Sequence, residues 1–206
     1  NKGGEVMGQA IKKNKVEYID RVHGNSKGWI TRSCIDENGY SQWHYKYLEL
    51  KETDLTGENI YITLNTFYKP CRRLECIKEL NFVYIDLDYY KTKYTKEQVI
   101  MNLESNYFNK IIPATNYIID SGRGLALLWN INKVPSQALP LWKAIQEYLY
   151  HQLKEFGADR QALDATRVLR VPGSINSKSK TVVSIIDEYD YIYDLREIQK
   201  EYLPEL

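Results

Sequence analysis

The chain has 206 residues, 43% hydrophobic and 27% charged, with 28 Lys and Arg against 27 Asp and Glu. That length suits one large domain with a real core, and a formal net charge of +1 leaves any affinity for a polyanion to local clusters. No apolar run approaches the roughly 18 residues of a membrane helix and no signal-peptide pattern opens the chain, so the sequence reads as soluble and cytoplasmic, with no membrane partner. The first residue is Asn1 rather than Met, as in a piece excised from a longer polypeptide. Cys34, Cys71 and Cys76 form no CxxC pair and leave an odd thiol, which fits a reducing compartment. A zinc site of Cys71 and Cys76 with His23 or His44 is the alternative, at a spacing that matches no familiar ligand pattern. The 18 tyrosines read mostly as amphipathic packing residues, with a few free to stack on bases.

In chain order, "NKGGEVMGQAIKKNK" is polar, basic and glycine-bearing, a loose arm or short helix. "VEYIDRVHG", "GWITRSCIDENGYSQWHYKYLEL" and "NIYITLNTF" alternate apolar and polar positions and read as strands, with "ENG" as a hairpin signal. "CRRLECIKEL" has helical spacing and leads into the strand "FVYIDLD". "TKEQVIMNLESNYF" starts at a Thr95 cap and keeps Val99, Ile100, Leu103 and Phe108 near helical spacing. Strands "TNYIID" and "GLALLWNI" follow, joined by "SGRG", and then the longest helix, "SQALPLWKAIQEYLYHQLKEFG", ended by Gly157. An irregular stretch, a strand "TVVSIIDEY" and a helix "LREIQKEYL" close the chain. The order predicts an α+β domain with a mixed or antiparallel sheet and packed helices. Residues 1–68 form its β-rich part and 69–206 its core.

Three stretches carry chemistry. In "NFVYIDLDYYK", Asp86 and Asp88 lie two apart on a strand, so both carboxylates point the same way and repel unless a cation sits between them. Hard oxygens on a rigid strand suit Mg²⁺ or Mn²⁺ and two-metal phosphoryl chemistry, which calls for a third carboxylate from elsewhere. A pair of solvated charges at a strand end is the plainer reading. In "DSGRGLALLW", Ser121, Gly122, Arg123 and Gly124 offer backbone N–H groups, a hydroxyl and a guanidinium in one tight turn, the equipment for a phosphate. A simple hairpin is the alternative; no Gly-Lys-Ser/Thr follows and no helix opens there, so neither a Walker A loop nor a dinucleotide fold is indicated. In "GADRQALDATRVLRVPGSINSKSK", Arg160, Arg167, Arg170, Lys178 and Lys180 supply positive charge and Asp159 and Asp164 the missing carboxylate, around a loop of Pro172, Gly173, Ser174 and Asn176. A solvated basic loop would explain the lysines but not the tight "RVPGSIN".

Together these stretches resemble the archaeo-eukaryotic primase superfamily, and within it the primase-polymerase domains of replication proteins from plasmids and other mobile elements. The motifs "YIDLD", "SGRGLAL" and "DRQALDATRVLRVPGSINSK" stand in that family's order across about half of the chain, Phe82 to Lys180. The resemblance implies metal-dependent nucleotidyl transfer to a 3′-hydroxyl on a single-stranded DNA template, with nucleoside triphosphates as substrates and a helicase or DNA-binding domain elsewhere in the polypeptide. It puts Asp86 and Asp88 as metal ligands with Asp159, or else Asp164, as the third carboxylate. Ser121 and Arg123 fall on the nucleotide-phosphate turn, and Arg170 and Lys178 on residues that hold the triphosphate. Two positions depart from the pattern: Ala126 and Asn176 stand where the family usually has histidines. Arg72 or Arg73 could replace the lost contact to the nucleotide, or the domain is a catalytically weakened nucleic-acid-binding module. Tyr89 and Tyr90 are candidates for contact with template or nucleotide. A tyrosine nickase of the rolling-circle kind is disfavoured, because His23, His44 and His151 form no close pair.

Overall fold

The structure, a computed structural model, describes residues 17–204; the basic segment expected as an arm or short helix lies outside them. Residues 17–23, expected as a strand, form helix α1. Tyr18, Ile19, Val22 and His23 are buried while Glu17 and Arg21 are exposed, which is the four-residue recurrence of a helix rather than strict alternation. A hairpin follows, β1 (Ile30–Asp36) and β2 (Gly39–Tyr45), with Gly39 at φ +107° after the "ENG" turn. The tail of the expected second strand is instead helix α2 (Tyr47–Glu52). The next strand breaks into β3 (Ile60–Thr63) and β4 (Thr66–Phe67). Of the expected helix at 71–80 only a single 3₁₀ turn, Leu74–Cys76, exists; Cys71, Arg72 and Arg73 are irregular and residues 77–80 open the long strand β5 (Ile77–Leu87). Pairing with β4 and β7 claims that backbone, and tertiary pairing overrides a short helical period.

Helix α3 (Lys96–Asn102) starts at the Thr95 capping box. Strands β6 (Tyr117–Asp120) and β7 (Leu125–Pro135) form the expected hairpin, and helix α4 (Leu139–Gln152) the expected long helix. The chain leaves α4 through a 3₁₀ turn that stops at Gly157, φ +81°. Then come β8 (Val168–Arg170), β9 (Ile175–Asn176), β10 (Thr181–Val182), β11 (Ser184–Glu188) and helix α5 (Leu195–Tyr202).

Two antiparallel sheets organise these elements, one in the order β11-β6-β7-β5-β4 and the other β2-β1-β3-β8, with β9 and β10 as a short ribbon. The α+β expectation holds. Strand β8, from the last third of the sequence, completes the sheet begun by the N-terminal hairpin. Phe82, Tyr84 and Trp129 of the first sheet are buried with Trp142 of α4, whose inward residues Trp142, Ile145, Gln146 and Leu149 follow helical spacing. Each such large apolar side chain contributes roughly 1.5–3 kcal/mol by leaving water. Among the described residues, no helix is long and apolar enough to cross a membrane.

Candidate active site

Among the described residues, strand β5 has β7 along one side, but beyond its first residues no strand along the other. Backbone groups on that open edge need partners, and the chain supplies them one after another. Asn65 Oδ1 accepts from Asn81 N at 2.8 Å. Trp142 Nε1 donates to Phe82 O at 2.7 Å. Gln146 bonds both Tyr84 N and Tyr84 O at 2.9 Å. At the carboxylate end the partner is the segment after α4: Asp159 N donates to Asp86 O and Asp88 N to Gly157 O, each at 2.8 Å. This one-residue antiparallel bridge, Leu87 opposite Ala158, sets Asp159 beside Asp86. Gly157 is required there twice over, by its positive φ and because a Cβ would lie 2.6 Å from Asp88 O.

Asp164, the other third-carboxylate candidate, is turned to a different task. Its Oδ1 accepts from Thr166 N at 2.8 Å and Thr166 Oγ1 at 2.9 Å, and its carbonyl accepts from the Tyr84 hydroxyl at 2.8 Å. The geometry therefore sets Asp159 beside Asp86, with Asp88 lining the same cleft as Asp86, and leaves Asp164 in an adjoining cleft with Arg72, Gln161, Arg167 and Val168.

Arg167 binds two of the three carboxylates at once. Its Nη2 lies 2.6 Å from Asp86 Oδ2 and 3.1 Å from Asp159 Oδ2, and its Nε donates to Asp86 Oδ2 at 2.7 Å. Lys91 pairs with Asp88 at 2.6 Å. Burial pushes the Asp86 carboxyl above its ordinary value; Arg167 pulls it back down, and the charges of Asp159 and Asp88 push it up again. Among the described residues no three His, Cys, Asp or Glu side chains converge as a ready-made metal-ligand group. The donor chemistry still suits a hard divalent cation: the charges of Asp88 and Asp159 both act on Asp86, and Asp86 and Asp159 already meet around one cationic side chain.

Asp86, Asp88, Ser121, Gly124, Ala126, Arg167, Arg170 and Tyr61 line one cleft of about 160 Å³. Ala126 stands directly across from Asp86 on β7, with Ile119 on its other side, so an apolar floor occupies the place of a polar contact. The glycine turn does not offer the free amides expected of it. Ser121 N donates to Gly124 O, Gly122 N to Asp120 Oδ1 and Gly124 N to Ser121 Oγ, so three of its N–H groups are spent locally. What the turn supplies is a close approach: a Cβ on Gly124 would lie 2.6 Å from Leu87 O. Asn176 Nδ2 donates to Ser121 O at 2.6 Å, so that residue fastens the third stretch to the turn. Ser174 is buried and donates to Val171 O at 2.6 Å.

Arg170 is fixed by Asn59 Oδ1 at 3.0 Å and lies over the Tyr61 ring at 4.7 Å, facing the cleft. Lys178 is exposed on the loop beyond Asn176. Arg123 points elsewhere, stacking on Tyr90 at 4.6 Å, and Arg73 is exposed beside Glu75; neither lines the cleft. Arg72 reaches the adjoining cleft. Cys71 and Cys76 do meet, Sγ atoms 3.0 Å apart, yet His23 is buried and bonded to Thr63 O, with its pKa lowered to about 3 by burial. His44 is bonded to Thr31, so no zinc set forms. Sequence reasoning assigned no site role to Tyr61 or Gln146 and named Arg167 only as positive charge. Tyr61 had a signal, the polar face of an alternating strand; Gln146 had only its place on the apolar stripe of α4.

No model of a known protein family matches the sequence. A replication protein of Clostridium perfringens is 75% identical over 200 residues, 97% of this chain and 49% of that protein. The chain thus spans about half of that relative's length. Among solved structures, the AEP domain of the cyanophage S-2L primase-polymerase superposes with a TM-score of 0.67 at 16% identity, covering 93% of this chain and 98% of that one. The chain adopts the archaeo-eukaryotic primase fold. The catalytic domain of primase RepB′, solved with initiator DNA, shares the fold at a TM-score of 0.52 and 12% identity over 86% of this chain and 85% of that one. A further RepB′ primase structure gives 0.54 at 12% identity, over 86% of this chain and 56% of that one. The primase fold thus spans both sheets and the segment carrying Asp159, far more than the motif-bearing half of the sequence.

Proposed function

We propose that this domain is a primase-polymerase that transfers nucleotides to a 3′-hydroxyl on a single-stranded DNA template, in the replication of a plasmid or other mobile element. The observation that carries the reading is the backbone bridge between Asp86–Asp88 and Gly157–Asp159, which sets Asp159 beside Asp86 at the edge of a cleft lined by Asp86, Asp88 and Arg170. The likeness to primase-polymerase domains and to a replication protein supports it.

Asp86, Asp88 and Asp159 would hold Mg²⁺ or Mn²⁺. When bound, such ions supply Lewis-acid stabilisation of phosphoryl oxygens and lower the pKa of a bound hydroxyl. Arg167 keeps Asp86 and Asp159 oriented and offsets part of their mutual repulsion. Arg170, locked by Asn59 and Tyr61, presents a preorganised guanidinium to the triphosphate, where charge builds as the leaving pyrophosphate departs. Lys178 adds charge from the loop, while Ser121 lines the cleft with its hydroxyl bonded back to Gly124. The floor at Ala126 and Ile119 leaves nucleotide recognition to the walls.

Nucleotide incorporation on primed and unprimed single-stranded templates, with Mg²⁺ or Mn²⁺, tests this against an Asp86→Ala, Asp88→Ala double variant. Metal-dependent product abolished in the variant supports nucleotidyl transfer, and the unprimed reaction decides whether the domain primes. Absence of product alongside retained DNA binding would favour the second reading, a nucleic-acid-binding module, for which the apolar Ala126 floor is the specific observation.

A further inference from the structure

Two guanidiniums near the cleft have only neutral partners. Arg170 bonds Asn59 and stacks on Tyr61. Arg72 is held from three segments at once: Nη1 donates to Thr166 O at 3.0 Å, Nη2 to the Tyr40 hydroxyl at 3.1 Å and Nε to Gln42 Oε1 at 3.2 Å. Among the described residues neither arginine makes an ion pair. A cation fixed in place by neutral oxygens keeps its charge available for an anion, and its geometry is set in advance.

The two flank adjoining clefts that share Arg167 and Val168; the strand row that runs beneath them is covered at Ser33, which is fully buried. Cross-strand register places Gln42 of β2, Ser33 of β1, Tyr61 of β3 and Arg170 of β8 in a single row, and directly opposed residues share a face. Tyr40 lies two residues from Gln42 on that same face. Arg167 lines both the catalytic cleft and the adjoining one that holds Arg72. Three strand spacings make the row about 14 Å long. At its outer end Tyr40 is 50% exposed with Arg72 near its ring at 5.9 Å. Fixed positive charge that leads to an open aromatic ring fits a flexible polyanion with flat bases; the charge alone would fit any phosphate.

We propose that this strip, from Arg170 past Arg167 and Arg72 to Tyr40 and Gln42, carries the single-stranded template at the catalytic cleft, with Tyr40 stacked on an unpaired base and Arg72 on a backbone phosphate. The proposal rests on the nucleotidyl-transfer reading and adds the path of the DNA. The same strand provides a control: Trp43 is 44% exposed and has Arg32 at 5.2 Å over its ring, yet it belongs to the opposite face.

The test is binding of a fluorescently labelled oligothymidylate to the chain, read by anisotropy over a series of salt concentrations. Tyr40→Ala weakens binding roughly five- to hundredfold, the loss of one base–aromatic stack. Tyr40→Phe keeps the ring but releases Arg72 from one of its three bonds, so it retains most of the affinity that Tyr40→Ala loses, and Trp43→Ala is unchanged. Arg72→Ala weakens binding and reduces the slope of log affinity against log salt by about 0.7, one single-strand phosphate contact. On an oligonucleotide made abasic throughout, the penalty of Tyr40→Ala disappears. Equal binding by Tyr40→Ala and parent, an equal loss in Trp43→Ala, or no binding by the parent overturns the strip. The incorporation assay on the same proteins separates the two claims. Product from the parent with unchanged binding in Tyr40→Ala refutes the strip alone; absence of product with binding lost in Tyr40→Ala supports the strip and refutes catalysis.

Discussion

Replacing Gln146 by Leu tests whether a side-chain brace holds the strand that carries Asp86 and Asp88. Gln146 is fully buried, and its amide serves Tyr84 N, Tyr84 O and, at 2.6 Å, Ala162 O. Leucine fills a similar volume and leaves all three backbone groups without this partner, two of them on the β5 edge that no strand of the described residues covers. At about 1–2 kcal/mol for each orphaned group, less about 1 kcal/mol for the added apolar burial, the loss is ~2–5 kcal/mol. That is a large share of the roughly 5–15 kcal/mol that stabilises an ordinary domain. With a urea m-value of about 2 kcal/mol/M, the unfolding midpoint falls by about 1–2.5 M at unchanged slope. The Asp159 segment hangs on the same edge, so Mn²⁺ binding measured by calorimetry weakens as well. A midpoint shift under about 0.3 M would show that the edge is not held by this amide and would remove the argument for how Asp86 is positioned.

Asp159→Ala is expected to abolish Mn²⁺ binding. Asp164→Ala keeps it and costs only about 0.5–1.5 kcal/mol in urea unfolding through its lost bonds to Thr166; the reverse pattern would transfer the third-carboxylate role to Asp164. Because the fold raises the Asp86 pKa, its ionisation costs the folded state: the penalty is absent below the unfolded value of about 3.9, grows as pH rises and is complete above the folded value. Asp86→Asn should therefore melt higher than the parent at neutral pH, with the gap closing on acidification; a gap that widens in acid contradicts the sign. Gly157→Ala forces an L-residue into φ +81° with its Cβ 2.6 Å from Asp88 O. It should cost at least about 1–2 kcal/mol in urea unfolding and reduce Mn²⁺ affinity together with stability, whereas loss of stability alone would place the strain away from the carboxylates.

Local features were legible in the order of residues alone. Alternation along "FVYIDLD" pointed Asp86 and Asp88 the same way, and both line one cleft although Asp88 already leaves the strand; the "SGRG" turn fixed the β6–β7 hairpin, and the apolar stripe up to Gly157 fixed α4. These follow from backbone period and from glycine's access to positive φ, which neighbouring residues alone express. Short amphipathic runs were less legible. Residues 17–23 satisfy two periods at once, and only packing against the core chose the helix. Distant register decided the rest. Asp159 and Asp164 are equivalent in composition and nearly so in position, and the difference between them is a pair of backbone hydrogen bonds to Asp86 and Asp88. Arg123 and Arg72 both read as contacts to the nucleotide, but one stacks outward on Tyr90 and the other is drawn in by Thr166, Tyr40 and Gln42. A carboxylate or guanidinium declares its chemistry in the sequence; which groups it faces depends on strand pairings closed over long stretches of chain, and those exist only once the sheets have formed.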